Sequence, residues 1–454
     1  MVSGTRPLLV AIVGAGPAGI YTAETLVDSG VDVRVDILER LPAPYGLTRY
    51  GVAPDHPSVK RIVGALHKVL DNGRIRLLGN VEFGVDIDLP TLRSHYDAVI
   101  FATGADRDRS LDIPGVSLAG SYGAADFVSW YNGHPDVDRT WPLTAQKIAV
   151  LGVGNVALDV SRVLAKGCDE LLSTDIPPNV YSGLRASTAL EVHVFGRRGP
   201  AQAKFTPVEL RELDRSPGIE VIVSPDDIDY DDASRAARSR SKQVDMVAKV
   251  LEGWVGRDPI DRPRKLFLHF FESPVEIIGR DGAVAALRTE RTELDGTGNV
   301  RGTGRFREWD VQAVYRAVGY RPRPMPGLSI DEADGTILHE AGRVLDHAGE
   351  HMAGIYATGW AKRGPIGLIG HTRSCAAETV ASLMDDRASG ALGTSVGTAP
   401  ADISTYLADR GVAVTTWQGW QRLDAHERAL GEAEGRDRIK VVERDEMIDI
   451  SASA

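Results

Sequence analysis

The sequence predicts an α/β fold with two Rossmann-like dinucleotide-binding domains, whose parallel sheets carry antiparallel β additions. Three observations point there. Leu8–Val13 and Lys147–Leu151 are continuous apolar runs, the pattern of strands buried on both faces of a parallel sheet. Each runs directly into a glycine-rich turn and then a helical pattern, the start of a βαβ unit. At 454 residues, 43% of them hydrophobic and 25% charged, the chain is long enough for two or three cores.

The first turn reads Gly14-Ala15-Gly16-Pro17-Ala18-Gly19 and fits GxGxxG in its required setting between strand and helix. Gly14 permits the tight turn, Gly16 lets a pyrophosphate approach the helix N-terminus, and Gly19 allows close helix–strand packing. The helical pattern runs from Ala18 to Ser29, Gly30 stops it, and the next strand ends at Glu39. A carboxylate there suits ribose hydroxyls, or it is a solvated strand end. Tyr96–Thr103 reads as a further strand, with Thr103 and Gly104 as candidate backbone contacts to a cofactor.

The second turn, Gly152-Val153-Gly154-Asn155-Val156-Ala157, is the GxGxxA variant. Its following strand, Glu191–Phe195, ends in Gly196-Arg197-Arg198-Gly199-Pro200. Two arginines stand where the first unit has a carboxylate. Guanidinium groups can clamp a 2′-phosphate that a carboxylate would repel, so the first site suits FAD and the second NADPH; the alternative is a solvated basic turn. Thr206-Pro207-Val208-Glu209 is a capping box, so Glu209 caps a helix, touches nucleotide, or both; Glu212 lies one turn on. Residues 271–318 alternate apolar and polar around Arg280-Asp281-Gly282 and Asp295–Gly298, as antiparallel β structure does. A third glycine-rich stretch, 354–370, suits a flat ring, although Trp360 taken alone is equally a core residue.

The net charge of −11 argues against a general nucleic-acid binder. The two cysteines, Cys168 and Cys375, are far apart and support no disulfide framework or cysteine-ligated cluster; each reads as a buried structural thiol. No metal-ligating cluster or nucleophile triad is evident. The run from Leu8 is too short to span a membrane, and a cytoplasmic location is expected.

Six motifs occur in order: GAGPAG at 14–19, Pro42–Leu47, Gly51–Pro57, GVGNVALD at 152–159, GRRGP at 196–200 and GWAKRGPIGLIG at 359–370. Together they resemble the adrenodoxin reductase-type ferredoxin–NADP⁺ reductases over nearly the whole chain. The resemblance implies a glutathione reductase-like arrangement. Its FAD domain is in two segments, 1–106 and 328–454, with an NADP domain, 107–327, inserted between them and the isoalloxazine ring at their junction. It places Ala15, Glu39, Leu47, Trp360 and the Gly367-Leu368-Ile369 backbone on FAD. Asn155, Val156, Arg197, Arg198 and Glu209 fall on NADPH, with His56 and Glu212 near the ring. The family often has Trp where this chain has Tyr45. The implied activity is hydride transfer from NADPH to FAD and single-electron transfer to an iron–sulfur ferredoxin. The alternatives are a glutamate synthase small-subunit relative, whose cysteine clusters are missing here, and a non-catalytic nucleotide-binding redox sensor.

An acidic chain meeting an acidic ferredoxin needs a local positive patch. The candidate is a helix capped by Ser234 with Arg235, Arg238 and Lys242 on one face, Arg240 at its border, and Val244, Val247 and Leu251 as an apolar stripe. Arg262, Arg264 and Lys265 form a competing patch.

Overall fold

The structure, a computed structural model, describes residues 6–366, 370–392 and 402–453. Leu8–Val13 lies within a seven-stranded sheet of order His339–Glu340, Arg343–Leu345, His351–Ala357, Ala98–Phe101, Leu8–Val13, Val33–Glu39, Ile75–Gly79. The last five strands pair in parallel and the first two add antiparallel. Val10 through Val13 are buried, as a strand covered on both sides requires. The helix Pro17–Asp28, with Pro at its first position, buries Ile20, Leu26 and Val27 on one face of this sheet.

The charged C-terminal tail closes the same core. Its helices Trp417–Ala433 and Arg444–Ala452 contribute Trp417, Trp420, Leu423 and Met447 to the cluster that holds Ile20 and Leu26. Each fully buried Leu or Met stabilises by about 1.5–3 kcal/mol. Arg49 and Glu427 form a two-point ion pair inside this unit, at 2.9 and 2.5 Å, with side-chain exposures of 4% and 0%. The buried Lys440 amine donates to Arg49 O, Asn132 O and Asn132 Oδ1.

The second unit has a six-stranded, all-parallel sheet of order Ser121–Gly123, Ala313–Arg316, Lys147–Leu151, Glu191–Gly196, Arg264–Phe270, Ile219–Val223. A separate antiparallel sheet, Glu272–Arg280, Ala283–Leu294 and Val300–Asp310, covers it. The first of its turns is Asp281-Gly282, both at positive φ. Ala149, Leu151 and Phe195 from the parallel sheet pack with Ile277, Leu287 and Trp309 from the antiparallel one.

The chain divides as Met1–Arg107, Asn132–Asp136 and Tyr320–Ala454 in one unit and Asp108–Tyr131 with Val137–Gly319 in the other. The division expected from sequence, after 106 and after 327, differs at three places, the smallest being Arg107, which falls in the first unit. Tyr320–Gly327 belongs to the first unit, where Met325 packs on its core and Pro326 fills the space beside Gly84. Asn132–Asp136 also belongs there, held by Lys440 and by Arg40, which contacts Asp136 and His134. The thiol expectation holds for buried Cys375, whose Sγ receives the Gly359 N–H at 3.2 Å, but Cys168 is only half-buried. No helix among the described residues is long and apolar enough to cross a membrane.

Candidate functional site

In the first unit the site assembles at the carboxyl ends of the parallel strands, where open α/β sheets bind ligands. Gly14 sits at φ +114° and donates its N–H to Leu38 O at 2.7 Å. A Cβ there would stand 2.6 Å from Ala102 O, so only glycine fits the turn. A Cβ on Gly19 would stand 2.0 Å from Gly14 O, which is the close helix packing the motif demands. Gly16 is different: apart from its chain neighbours, nothing among the described residues lies within 4 Å of its would-be Cβ. It is also the N-cap of Pro17–Asp28, with no side-chain cap and no acidic residue in the first turn. The result is an open space at a helix N-terminus, where backbone donors and the dipole favour an anion.

Glu39, 8% exposed, closes the adjacent strand. Its Oε2 accepts the Ala15 N–H at 2.9 Å and its Oε1 the Leu41 N–H at 3.1 Å. Burial pushes its pKa up, while those donors and Arg40 pull it down. A carboxylate offers about four acceptor positions, so capacity for a sugar hydroxyl remains. Thr103 and Gly104 follow one strand and Thr358 and Gly359 follow its neighbour, with Thr358 N–H on Phe101 O at 2.9 Å. Ala18 faces Gly359, whose Cβ would stand 2.5 Å from its own, and half-buried Trp360 opens the helix Trp360–Arg363. Tyr45 donates its N–H to Ala15 O at 2.8 Å, which lays Gly46 and half-buried Leu47 beside the glycine turn. The Tyr45 hydroxyl meets the Trp420 indole N–H at 3.3 Å, so this position is matched to the tail. His56, 4% exposed, is the N-cap of Pro57–Lys60. Gly367, Leu368 and Ile369 lie outside the described residues.

The second unit repeats the turn. Gly152 is at φ +139°, and a Cβ on it would stand 2.2 Å from Ala317 O; Gly154, the uncapped N-cap of Asn155–Ala165, has nothing but its chain neighbours within 4 Å of its would-be Cβ among the described residues. Val156 is half-buried and Ala157 buried in that helix. The Asn155 side chain accepts the Thr206 N–H at 2.9 Å, which ties the turn to the helix Pro207–Arg215. On that helix Thr206 caps through the Glu209 N–H, which reaches Thr206 Oγ1 at 3.3 Å, and that hydroxyl donates to Glu209 Oε2 at 2.8 Å; the reciprocal half of the expected capping box is replaced, because the Thr206 N–H goes to Asn155 instead of Glu209. Half-buried Glu212 lies one turn on. Arg197 is exposed and Arg198 half-buried, and neither guanidinium has a hydrogen-bond or ion-pair partner among the described residues.

The expected basic helix is two helices. Asp232–Arg240 is capped by Asp231, which accepts the Ser234 N–H, and Lys242–Glu252 starts afresh from Ser241. The break takes Lys242 off the face of Arg235 and Arg238. Arg238 is bound to Glu252 and Asp245 at 2.5 and 3.2 Å and lies over Tyr230, and Arg235 pairs with Asp232. Val247 and Leu251 are buried within their own unit and present no anchoring stripe. Arg262 and Arg264, in the competing patch, donate to backbone carbonyls of Ser216 and Ala189 among others. Arg240 and Lys242 remain exposed and unpaired among the described residues. Sequence reasoning missed the Arg49–Glu427 pair and the Tyr45–Trp420 contact, whose partners lie 378 and 375 residues apart with no local pattern to announce them.

Comparison with known proteins gives concordant matches. Residues 9–204 match the family model for pyridine nucleotide-disulphide oxidoreductase. The chain is 40% identical to the NADPH-ferredoxin reductase FprA of Mycobacterium tuberculosis, over 98% of this chain and 99% of that one. It is 36% identical to the mitochondrial NADPH:adrenodoxin oxidoreductase of Arabidopsis thaliana, over 99% and 97%. Among solved structures, Mycobacterium tuberculosis FprA in complex with NADPH matches with a TM-score of 0.90 at 39% identity, covering 99% of this chain and all of that one.

Proposed function

The chain belongs to the adrenodoxin reductase-type NADPH-ferredoxin reductase family, and from that premise we propose how its residues divide the work of an FAD-dependent ferredoxin–NADP⁺ reductase. One observation carries the division. Two glycine turns of the same build are followed by opposite charges, the buried Glu39 in one unit and the unpaired Arg197 and Arg198 in the other. FAD bound in the first unit supplies a hydride acceptor for NADPH and a source of single electrons for the ferredoxin.

The protein supplies placement. The space beside Gly16 receives the FAD pyrophosphate and Glu39 its ribose hydroxyls, while Ala15 and Leu47 line the same turn. Thr103, Gly104 and Trp360, at two adjacent strand ends, lie toward the ring, and buried His56 is a polar group on the flavin side. Gly154 receives the NADPH pyrophosphate, with Asn155 and Val156 at the helix start, and Arg197 and Arg198 clamp the 2′-phosphate. Glu209, bonded to the Thr206 cap of its helix, borders the nucleotide with Glu212.

Purified protein should carry FAD and reduce ferricyanide with NADPH. Transfer to a purified ferredoxin is the deciding assay; activity with ferricyanide and none with any ferredoxin would assign the electrons to another acceptor. Replacing both Arg197 and Arg198 by Ala should raise KM for NADPH roughly 10- to 100-fold, because a hydrogen bond to a charged group contributes ~1.5–3 kcal/mol and each ~1.4 kcal/mol is tenfold. NADH kinetics should barely move, and equal losses for both nucleotides would reject the 2′-phosphate assignment.

The ferredoxin is an iron–sulfur protein, and Arg240 and Lys242 are its docking cations. Reversing both to Glu should slow ferredoxin reduction at low salt and flatten its salt dependence, since rim charges act mainly on association rate. Ferricyanide reduction should stay unchanged, as that small acceptor needs no docking face. Unaltered ferredoxin kinetics in the double variant would clear both residues of the role.

A further inference from the structure

The two arginines have no side-chain partners among the described residues, so before nucleotide arrives only their backbone places them. That backbone is held from the antiparallel sheet. The Thr292 hydroxyl donates to Arg197 O at 2.7 Å, and Thr292 is 7% exposed. The Thr292 N–H donates to Phe271 O at 2.8 Å, and the Phe271 N–H reaches Arg198 O at 3.4 Å. The Phe271 ring closes on Gly199, where a Cβ would stand 2.5 Å from its Cζ. Arg291 lies over that ring and donates to Phe270 O at 3.0 Å. The Arg197–Gly199 loop is therefore braced at three successive residues by Phe271 and Thr292, neither of which belongs to the strand–turn–helix unit that carries the glycines.

We propose that Thr292 is a positioning residue for nucleotide choice: through Arg197 O it presets the loop so that both guanidinium groups meet a 2′-phosphate without reordering. This rests on the reading of Arg197 and Arg198 as the 2′-phosphate clamp. Preorganisation of this kind strengthens binding by removing the ordering that the ligand would otherwise have to drive. It acts on the phosphorylated nucleotide alone, because NADH has no group for the arginines to hold.

Thr292→Val keeps the shape and removes the hydroxyl; Thr292→Ser keeps the hydroxyl. In the FAD-loaded enzyme the Val variant should show a KM for NADPH raised about three- to tenfold, the effect of one buried hydrogen bond, with kcat and NADH kinetics unchanged. The Ser variant should restore it. Calorimetry provides a readout free of turnover: affinity for adenosine 2′,5′-bisphosphate should fall by the same factor, and affinity for adenosine 5′-monophosphate should hold. A KM that rises equally for NADPH and NADH makes Thr292 a merely structural residue and overturns the proposal. So does an unchanged NADPH preference in Thr292→Val alongside a large loss when Arg197 and Arg198 are replaced by Ala. If the arginine variant itself keeps its preference, the 2′-phosphate reading fails and takes this proposal with it.

Discussion

Gly16→Val should give a folded protein that purifies without FAD. The backbone at Gly16, φ −76° and ψ 176°, is extended and open to any residue, and apart from its chain neighbours no atom of the described residues lies within 4 Å of the new Cβ. Folding therefore has little reason to fail beyond the loss of a favourable N-cap, on the order of 1 kcal/mol. What the side chain fills is the space that a pyrophosphate needs against the backbone. Gly14 and Gly19 make the controls: substitutions there strike Ala102 O and Gly14 O and should damage the fold itself. Flavin absorbance per polypeptide, read beside circular dichroism, separates the two kinds of failure. Gly154→Val should leave flavin in place and remove NADPH binding. A fully flavinated Gly16→Val protein would show that the first turn has been misread.

Glu427→Ala should destabilise the first unit by about 3–5 kcal/mol, the usual consequence of leaving one member of a buried ion pair alone. The Glu427 carboxylate holds Arg49 at two points, Arg438 at 3.0 Å and the Val441 N–H at 3.0 Å, all from a fully buried position. Arg49 follows the segment that lies on the glycine turn, so flavin retention should weaken together with the denaturation midpoint. Pairing Arg49→Met with Glu427→Leu should recover part of the stability, because an apolar pair removes the stranded Arg49 charge, while the Val441 N–H loses its acceptor and Arg438 keeps only Asp424 among the described residues. A single variant as stable as the parent would mean that Arg49 finds water or another partner.

The parts of the site readable in sequence are those whose logic is local. A glycine turn, the helix it opens and the charge at the end of the next strand fall within residues 14–39 in the first unit and 152–198 in the second, and the steric and electrostatic demands on each are nearly context-free. Arg197 and Arg198 could be singled out on that basis alone. The basic helix departs from its sequence pattern because a helical wheel assumes continuity, whereas Ser241 restarts the helix and the carboxylates of Asp245 and Glu252 claim Arg238. Tyr45 looked like a departure from the family pattern; its hydroxyl has a reason only once Trp420 is beside it. Thr292 was invisible for the same cause, being separated from Arg197 by 95 residues and recruited by a hairpin rather than a motif.

The placement of Asn132–Asp136 has a consequence for anyone who would rebuild this protein. The chain crosses between the units after 107, after 131, after 136 and after 319, so neither half is a cassette with one entrance and one exit. A chimera joined at 107/108 and 319/320 would import five foreign residues into the first unit. Asn132, which receives the buried Lys440 amine on two of its oxygens, would be among those replaced. Grafts of a different second unit should therefore succeed only when the Asn132–Asp136 pentapeptide is written back into the donor. For the same reason, one proteolytic nick at any single crossing should leave covalent links between the two units at the other three, while the two fragments it creates stay together only through noncovalent packing.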